Sequence, residues 1–354
     1  MKLRNLIDIE DLSLEEWNEL YGLASQIIAH PKDFVDALHG DVMASLFFEP
    51  STRTNFSFQT AMMRLGGSVF GFADPKSSST SKGETLKDTI KMVSNYADVI
   101  VMRTPTEGAA KAASLYADVP VINAGDGGHM HPTQTLADLT TIATLRGEIR
   151  DINVGFCGDL KNGRTVHSLI KALAMFPGIR LYLIAPRDLA IPAYMVEFMK
   201  GKGMKFVEVT NLEATMPQLD VLYMTRIQRE RFTDPLEYDR LKGVYVLNRG
   251  KLRTAKKELL IMHPLPRVDE ITQDVDEDPR AVYFDQARYG MYARMALLLT
   301  IVKQQGRKKP ESQEIGTGPL CHNPRCITQT ERYLPNLTKV TGGKCCCAFC
   351  DKEI

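Results

Sequence analysis

Between an apolar run, MASLFF, and a stretch with helical spacing, TNFSFQTAMMRLG, the chain carries Phe47-Phe48-Glu49-Pro50-Ser51-Thr52-Arg53-Thr54. A strand, a loop and a helix start in that order leave backbone N–H groups free at the loop. They also bring the positive end of the helix dipole there, which stabilises an anion. Two hydroxyls and a guanidinium in the loop suit phosphate oxygens. The same residues admit a plainer reading, in which Ser51 or Thr52 caps the helix and Arg53 is solvated. Companions at neighbouring strand ends favour the anion site. Arg103 closes the apolar run DVIVM, and His131-Pro132-Thr133-Gln134 opens a helix after VPVINAGDGG. In an open parallel sheet the carboxyl ends of the strands line the ligand crevice, so Arg53, Arg103 and His131 are expected to converge. Singly, Arg103 also reads as a surface ion pair, and His131 or Gln134 as a helix-start hydrogen bonder.

A second concentration of reactive side chains lies near the C-terminus. Of seven cysteines, Cys157 stands alone in the main body and six fall between Cys321 and Cys350. Cys321 and Cys326 form a C-x4-C pair, Cys347 and Cys350 a C-x2-C pair, with twenty residues between Cys326 and Cys347. Four thiolates so spaced suit a closed tetrahedral zinc site in a module too small to fold on its own core. Disulfides, rare in a cytosolic chain, and a redox cluster are the other readings. Cys345, Cys346 and His322 are rival ligands.

The elements that must position these groups follow from the hydrophobic pattern. Ser13 and Glu16 make a capping box ahead of the helical run LEEWNELYGLASQII, which Pro31 ends. The short apolar runs MASLFF, SVFGF, DVIVM and VPVIN alternate with helical stretches, the rhythm of a parallel α/β sheet. A helix from about Thr133 to Arg146 leads to a second series: INVGFCGD, IRLYLIA, KFVEV, DVLYMT, LLIMH and AVYFD. The spacing thus predicts two doubly wound parallel-sheet α/β domains joined by helices, plus a small C-terminal zinc-binding module. The expected boundaries are 1–134, 135–287, a polar Gly/Pro-containing linker at 306–319 and the module at 320–354. A helix at 288–305 is expected to pack back on the first domain. A formal net charge of +1 excludes bulk attraction to nucleic acid or an anionic membrane. The first residues lack a long apolar core, and the longest apolar run, near Met295 to Val302, is too short to span a bilayer. A cytoplasmic location is expected.

These motifs identify a resemblance. Residues 1 to about 305 resemble the carbamoyltransferases, whose members share FFEPSTRT whatever their acceptor. SSSTSKGE at Ser77–Glu84, MTRIQRER at Met224–Arg231 and HPLPR at His263–Arg267 look like the aspartate-accepting members, whereas ornithine-accepting members tend to have HCLP at the last site. The resemblance implies transfer of a carbamoyl group from carbamoyl phosphate to the α-amine of L-aspartate, in de novo pyrimidine biosynthesis, with no cofactor needed for the chemistry. It further implies that Ser51, Thr52, Arg53 and Thr54 bind phosphate with help from Arg103. Thr54, Arg103 and His131 would contact the carbamoyl oxygen, and Gln134, Leu265 and Pro266 the carbamoyl amino group. Arg164 and Arg226 would bind the two carboxylates of aspartate, with Gln228 nearby. Ser78 and Lys82 would reach into the active site of the next subunit, which implies a homotrimer.

The chemistry of these side chains agrees. Two carboxylates call for fixed, bidentate cations, which Arg supplies better than Lys, and Arg164, Arg226 and Lys82 are the residues expected to meet that requirement. Arg164 and Arg226 each follow a strand or its loop; their plainer reading is as surface residues, and that of Lys82 is a solvated residue on a mobile loop. The CHNPRCIT and CAFCDKE segments resemble the zinc domain of the regulatory chain that accompanies some bacterial members. Spacing and resemblance together favour Cys321, Cys326, Cys347 and Cys350 as ligands. The nucleotide-binding domain that precedes the zinc domain in that chain has no counterpart between linker and module. A structural zinc packed against the catalytic part, without a nucleotide effector site, is therefore expected.

Overall fold

The computed structural model describes residues 4–74, 79–227, 234–305, 318–341 and 343–354. The chain divides into two compact units, one comprising residues up to Leu136 together with those from Gly290 onward, the other Ala137–Tyr289. The first begins with α1 (Leu14–Ala29), whose Ser13 and Glu16 cap each other's backbone as the sequence predicts. There follow β1 (Val42–Phe47), α2 (Thr52–Arg64), β2 (Ser68–Phe72), α3 (Leu86–Ser94), β3 (Val99–Thr104), α4 (Ala109–Tyr116) and β4 (Val121–Asp126). The strands form a parallel sheet in the order β2-β1-β3-β4. The inner strands β1 and β3 are buried over most of their length, which explains their near-continuous apolar runs; β2, at the edge, is largely exposed.

Helix α5 (Pro132–Arg146) carries the chain into the second unit. There β5 (Asn153–Cys157), α6 (Arg164–Leu173), β6 (Arg180–Ile184), α7 (Ala193–Gly201), β7 (Lys205–Val209), α8 (Leu212–Thr215), β8 (Val221–Met224), α9 (Pro235–Leu241) and β9 (Leu260–Met262) follow. The second parallel sheet has the order β7-β6-β5-β8-β9. On α6, Val166, Leu169, Ile170 and Leu173 are buried at the spacing of one helical face. In both sheets successive strands are added outward in one direction and then in the other. The order reverses between β1 and β3 in the first unit and between β5 and β8 in the second, and such switch points are where ligands bind in open α/β sheets.

One expected strand is absent. AVYFD makes only an isolated bridge, Ile261 to Ala281, and Tyr283 already begins α10 (Tyr283–Gln305). A five-residue apolar run fits the first turn of a buried helix as well as a strand, so α10 starts ahead of the expected 288. Within the first unit, Arg294 donates to Ser57 Oγ (2.8 Å) and lies over the Phe58 ring.

After residue 317 the chain forms an antiparallel hairpin of β10 (Thr338–Thr341) and β11 (Lys344–Cys347). Cys321, Cys326, Ile327, Leu334, Cys347, Phe349 and Cys350 belong to the same buried cluster as Ile100, Met102, Ala110 and Val121. The module thus shares its core with the first sheet. Ala109, Ala110, Ala112 and Ala113 on α4 are buried in that cluster, and their small side chains permit close approach.

Candidate active site

Helix α2 begins at Thr52, and its first intrahelical bond runs from the Asn55 N–H to the Ser51 carbonyl (3.0 Å). The amides of Thr52, Arg53 and Thr54 therefore precede the helical ladder, where an anion can accept from them. Ser51 occupies the cap position but its side chain makes no capping bond. Buried Asn55 accepts from Ser45 Oγ and Gln59 Nε2 (both 2.8 Å), which fixes the helix start to β1.

Arg103, across the switch point, pairs in register with Phe47. Its Nε lies 2.8 Å from Glu49 Oε1, and its Nη1 donates to the Ala124 carbonyl and to His131 Nε2, each at 3.2 Å. A guanidinium only donates, so His131 Nε2 accepts and the ring carries its proton on Nδ1. Burial pulls the Arg103 pKa down, Glu49 opposes that, and the charge of Arg53 lowers it further. The two guanidiniums therefore share one neighbourhood. Burial also lowers the Arg53 pKa, and a bound anion would relieve both effects.

In the second unit, the ends of β5 and β8 are tied together. Thr225 Oγ1 donates to the Cys157 carbonyl (3.2 Å) and accepts from the Asp159 N–H (2.9 Å). Gly158, at φ +122°, permits this approach, since a Cβ there would stand 2.4 Å from the Thr225 carbonyl oxygen. Arg164 opens α6 and Arg226 lies two residues beyond β8; both are half-buried. The loop before Arg164 is held by buried Asp159, which accepts from the Asn162 N–H (2.9 Å), and by His167, which donates to the Leu160 carbonyl (2.7 Å). Beyond β9, His263 accepts the Leu265 N–H on Nδ1 and donates from Nε2 to Glu270, both at 2.7 Å. Burial alone would raise the Glu270 pKa, but hydrogen bonds from His263 and from backbone amides hold it below the usual range. Leu265 has a left-handed backbone (φ +53°) and precedes Pro266 through a cis peptide.

The cysteine module touches three segments that carry candidate residues of the first unit. Glu331 and the Tyr333 hydroxyl accept the Leu86 and Lys87 N–H groups at the start of α3 (3.1 and 2.9 Å), just after Lys82. Glu107, three residues past β3 and almost fully buried, accepts from Asn323 Nδ2 (2.7 Å) and Arg325 Nε (3.2 Å). His129, two residues before His131, stands between Asp126 (2.9 Å) and Asp351 (3.3 Å). Burial would lower its pKa, but the two carboxylates outweigh that and hold it well above the ordinary histidine value. Docking also depends on Gly108, which has φ +83° and whose Cβ would approach Phe349 to 2.6 Å. Gly108→Ala should destabilise the protein by about 2–4 kcal/mol, from left-handed strain and overpacking together. An unchanged urea midpoint would mean that Phe349 is not seated as described.

Cys321, Cys326, Cys347 and Cys350 are buried, with all four sulfurs within 4.8 Å of one another. The Cys321–Cys350 and Cys326–Cys347 sulfur separations are 3.6 and 3.8 Å. Tetrahedral coordination at Zn–S distances of about 2.3 Å requires sulfur–sulfur edges of about 3.8 Å, so these residues fit such an ion, whereas a disulfide needs about 2.05 Å. His322 and Cys345 are exposed, and neither they nor Cys346 join the cluster.

The first unit thus holds Ser51, Thr52, Arg53, Thr54, Arg103, His131 and Gln134, and the second Arg164, Arg226, Leu265 and Pro266. Lys82 is exposed at the end of the turn Ser79–Lys82; Ser78 and Gln228 lie outside the described residues. Sequence reasoning missed Glu49, Glu107, Asp126, His129, Thr225 and the His263–Glu270 pair. Glu49, Asp126, Thr225 and His263 had a local signal, since each sits inside a stretch that the sequence singles out.

Free helix-start amides and two guanidiniums at the switch point of one parallel sheet, and two guanidiniums at that of another, suit an enzyme that handles two anionic substrates. Comparison with known proteins makes the class specific. Residues 4–144 match the family model for the aspartate/ornithine carbamoyltransferase carbamoyl-P binding domain, and residues 150–301 that for the Asp/Orn binding domain. The aspartate carbamoyltransferase catalytic subunit of Clostridium perfringens is 54% identical over 303 residues, 85% of this chain and 99% of that one. The catalytic subunit of M. jannaschii aspartate transcarbamoylase superposes with a TM-score of 0.81 at 48% identity, covering 86% of this chain and 99% of that one. The Trypanosoma cruzi aspartate transcarbamoylase in complex with carbamoyl phosphate and aspartate gives 0.80 at 41%, covering 84% and 96%. The chain belongs to the aspartate/ornithine carbamoyltransferase family. The family models end at residue 301, so the cysteine module lies beyond them.

Proposed function

We propose that the protein transfers the carbamoyl group of carbamoyl phosphate to the α-amine of L-aspartate, giving N-carbamoyl-L-aspartate and phosphate in pyrimidine biosynthesis. The observation that carries this reading is the placement of Arg53 and Arg103 at the β1/β3 switch point, and of Arg164 and Arg226 at β5/β8. Similarity to aspartate carbamoyltransferase catalytic subunits supports the choice of acceptor. The phosphate takes Ser51, Thr52, Arg53 and Thr54, with Arg103; Ser78 and Lys82 enter from a neighbouring subunit, Lys82 as a further cation for the carboxylates of aspartate. Gln134 and the Leu265–Pro266 backbone serve the carbamoyl amino group. Arg164 and Arg226, with Gln228, take the carboxylates of aspartate, for which paired guanidiniums are suited.

The neutral α-amine attacks the carbamoyl carbon, an oxyanion develops on the tetrahedral carbon, and the C–O bond to phosphate breaks. Thr54, Arg103 and His131 stabilise the oxyanion, His131 as a donor more than a base, and no covalent enzyme intermediate is needed. Lys82 and the phosphate-loop guanidinium offset the charge of two substrates that repel each other in water.

Zinc is the ion proposed for the four cysteines; its role is structural, and no step of the transfer uses it. A homotrimer in the cytoplasm is the proposed assembly and setting. Phe56 and Met63, seven residues apart on α2 and both more than half exposed, support a subunit contact on that helix. Among the described residues no helix is long and apolar enough to cross a membrane.

Phosphate release from carbamoyl phosphate should require L-aspartate and not occur with L-ornithine. Arg53→Ala should slow it by more than about tenfold, because a charge-assisted partner of the reacting phosphate is lost. Turnover of that variant within tenfold of the parent would remove Arg53 from the phosphate site.

A further inference from the structure

We propose that the cysteine module is a positioning element of the anion site, acting on His131 through contacts that run from Asp351 to His129 to Asp126. The inference rests on the transfer reaction above, in which His131 serves the oxyanion. Asp351 directly follows the last cysteine of the cluster, and its N–H donates to the Cys347 carbonyl (3.0 Å), so the C-x2-C turn fixes it. Its carboxylate faces His129 Nε2 at 3.3 Å and Lys339 Nζ at 2.7 Å. On the other side of the ring, Nδ1 contacts Asp126 Oδ2 at 2.9 Å.

Asp126 is the hub of this arrangement and is 1% exposed. Its Oδ2 also accepts the Gly108 N–H (2.8 Å), and its Oδ1 accepts from Asn123 Nδ2 (3.1 Å) and the Met130 N–H (3.0 Å). The Met130 carbonyl in turn accepts the Asp126 N–H (3.2 Å). Asp126 therefore clamps the residue immediately before His131, and His129, whose ring the module holds, braces that clamp. Residues 127–131 belong to no named helix or strand, so polar contacts and burial fix their course. The Glu107 contacts restrain the segment after Arg103 from the same side. Partners behind a reacting group contribute about 10–100-fold when they set its orientation, and a misplacement of about 1 Å costs about as much.

The test uses the full-length, metal-loaded protein with Asp351→Gly, His129→Gln and the double variant. Glycine removes the Asp351 side chain without straining its left-handed backbone (φ +62°). Each single variant should lose about tenfold or more in kcat, while the KM for carbamoyl phosphate stays within about threefold because the 51–54 loop is untouched. The double variant should be no slower than the slower single one, since the pair acts as a unit. Asp351→Asn, which restores the acceptor oxygen but not the charge, should recover part of the rate, with metal content at the parental level throughout. A role confined to docking would lower the thermal midpoint and leave kcat unchanged, which would overturn the proposal; so would losses that multiply in the double variant. A parent that releases no phosphate with aspartate would sink the transfer reading itself, whereas an active parent matched by Asp351→Gly would sink only this inference.

Discussion

Arg103→Ala is expected to lower kcat by about 10²–10³-fold, the loss typical of removing one donor from a developing oxyanion. Three contacts fix the guanidinium: Glu49 at 2.8 Å, and the Ala124 carbonyl and His131 Nε2 at 3.2 Å each. Its side chain is only 11% exposed, so little solvent competes with those contacts or with a bound substrate. Truncation removes the donor and also the charge that offsets Glu49 beside the phosphate loop. The KM for carbamoyl phosphate should therefore rise along with the fall in kcat. Arg103→Lys should recover little, because an ammonium cannot span Glu49 and His131 as a planar fork does. Steady-state kinetics in carbamoyl phosphate at saturating aspartate is the measurement. A kcat within tenfold of the parent would show that the oxyanion draws its stabilisation elsewhere.

The second large effect concerns the cysteines. Purified protein should carry about one zinc per chain, and Cys326→Ala or exhaustive chelation should abolish binding. A bound ion would contribute folding free energy outright in a module with so little core of its own. Because the four cysteines belong to the buried cluster of the first sheet, the loss should not be confined to the C-terminus. Forfeiting even about 4 kcal/mol of docking corresponds to a fall of roughly 10 °C in thermal midpoint for a domain of this size. Metal analysis, thiol titration and a melting curve check this together. Less than about half an equivalent of metal with four freely titratable thiols would remove the site.

What was legible in the sequence follows from the range of each interaction. Strands β1, β3, β5 and β8 announce themselves as apolar runs closed by turn residues, so Arg53, Arg103, Arg164 and Arg226 could be assigned to strand ends before any coordinates. Glu49 was overlooked because a carboxylate beside an anion site looks adverse until its role in holding Arg103 is seen. The Asp351–His129 contact had no local signal at all, since the two residues are brought together only by docking of the module. AVYFD misled because the first turn of the buried helix α10 has the same short apolar pattern as a strand. Among Cys345, Cys346 and Cys347, spacing and resemblance already pointed to Cys347, and the hairpin of β10 and β11 agrees, bringing its sulfur to 3.8 Å from that of Cys326 and leaving Cys345 exposed.

The two switch points lie on separate sheets, and in the proposed reading each carries the groups for one anion on loops that the strand cores do not need. The acceptor can in that reading be exchanged by altering the segments after β5 and β8, while the donor's groups after β1, β3 and β4, together with Leu265 and Pro266 after β9, are kept.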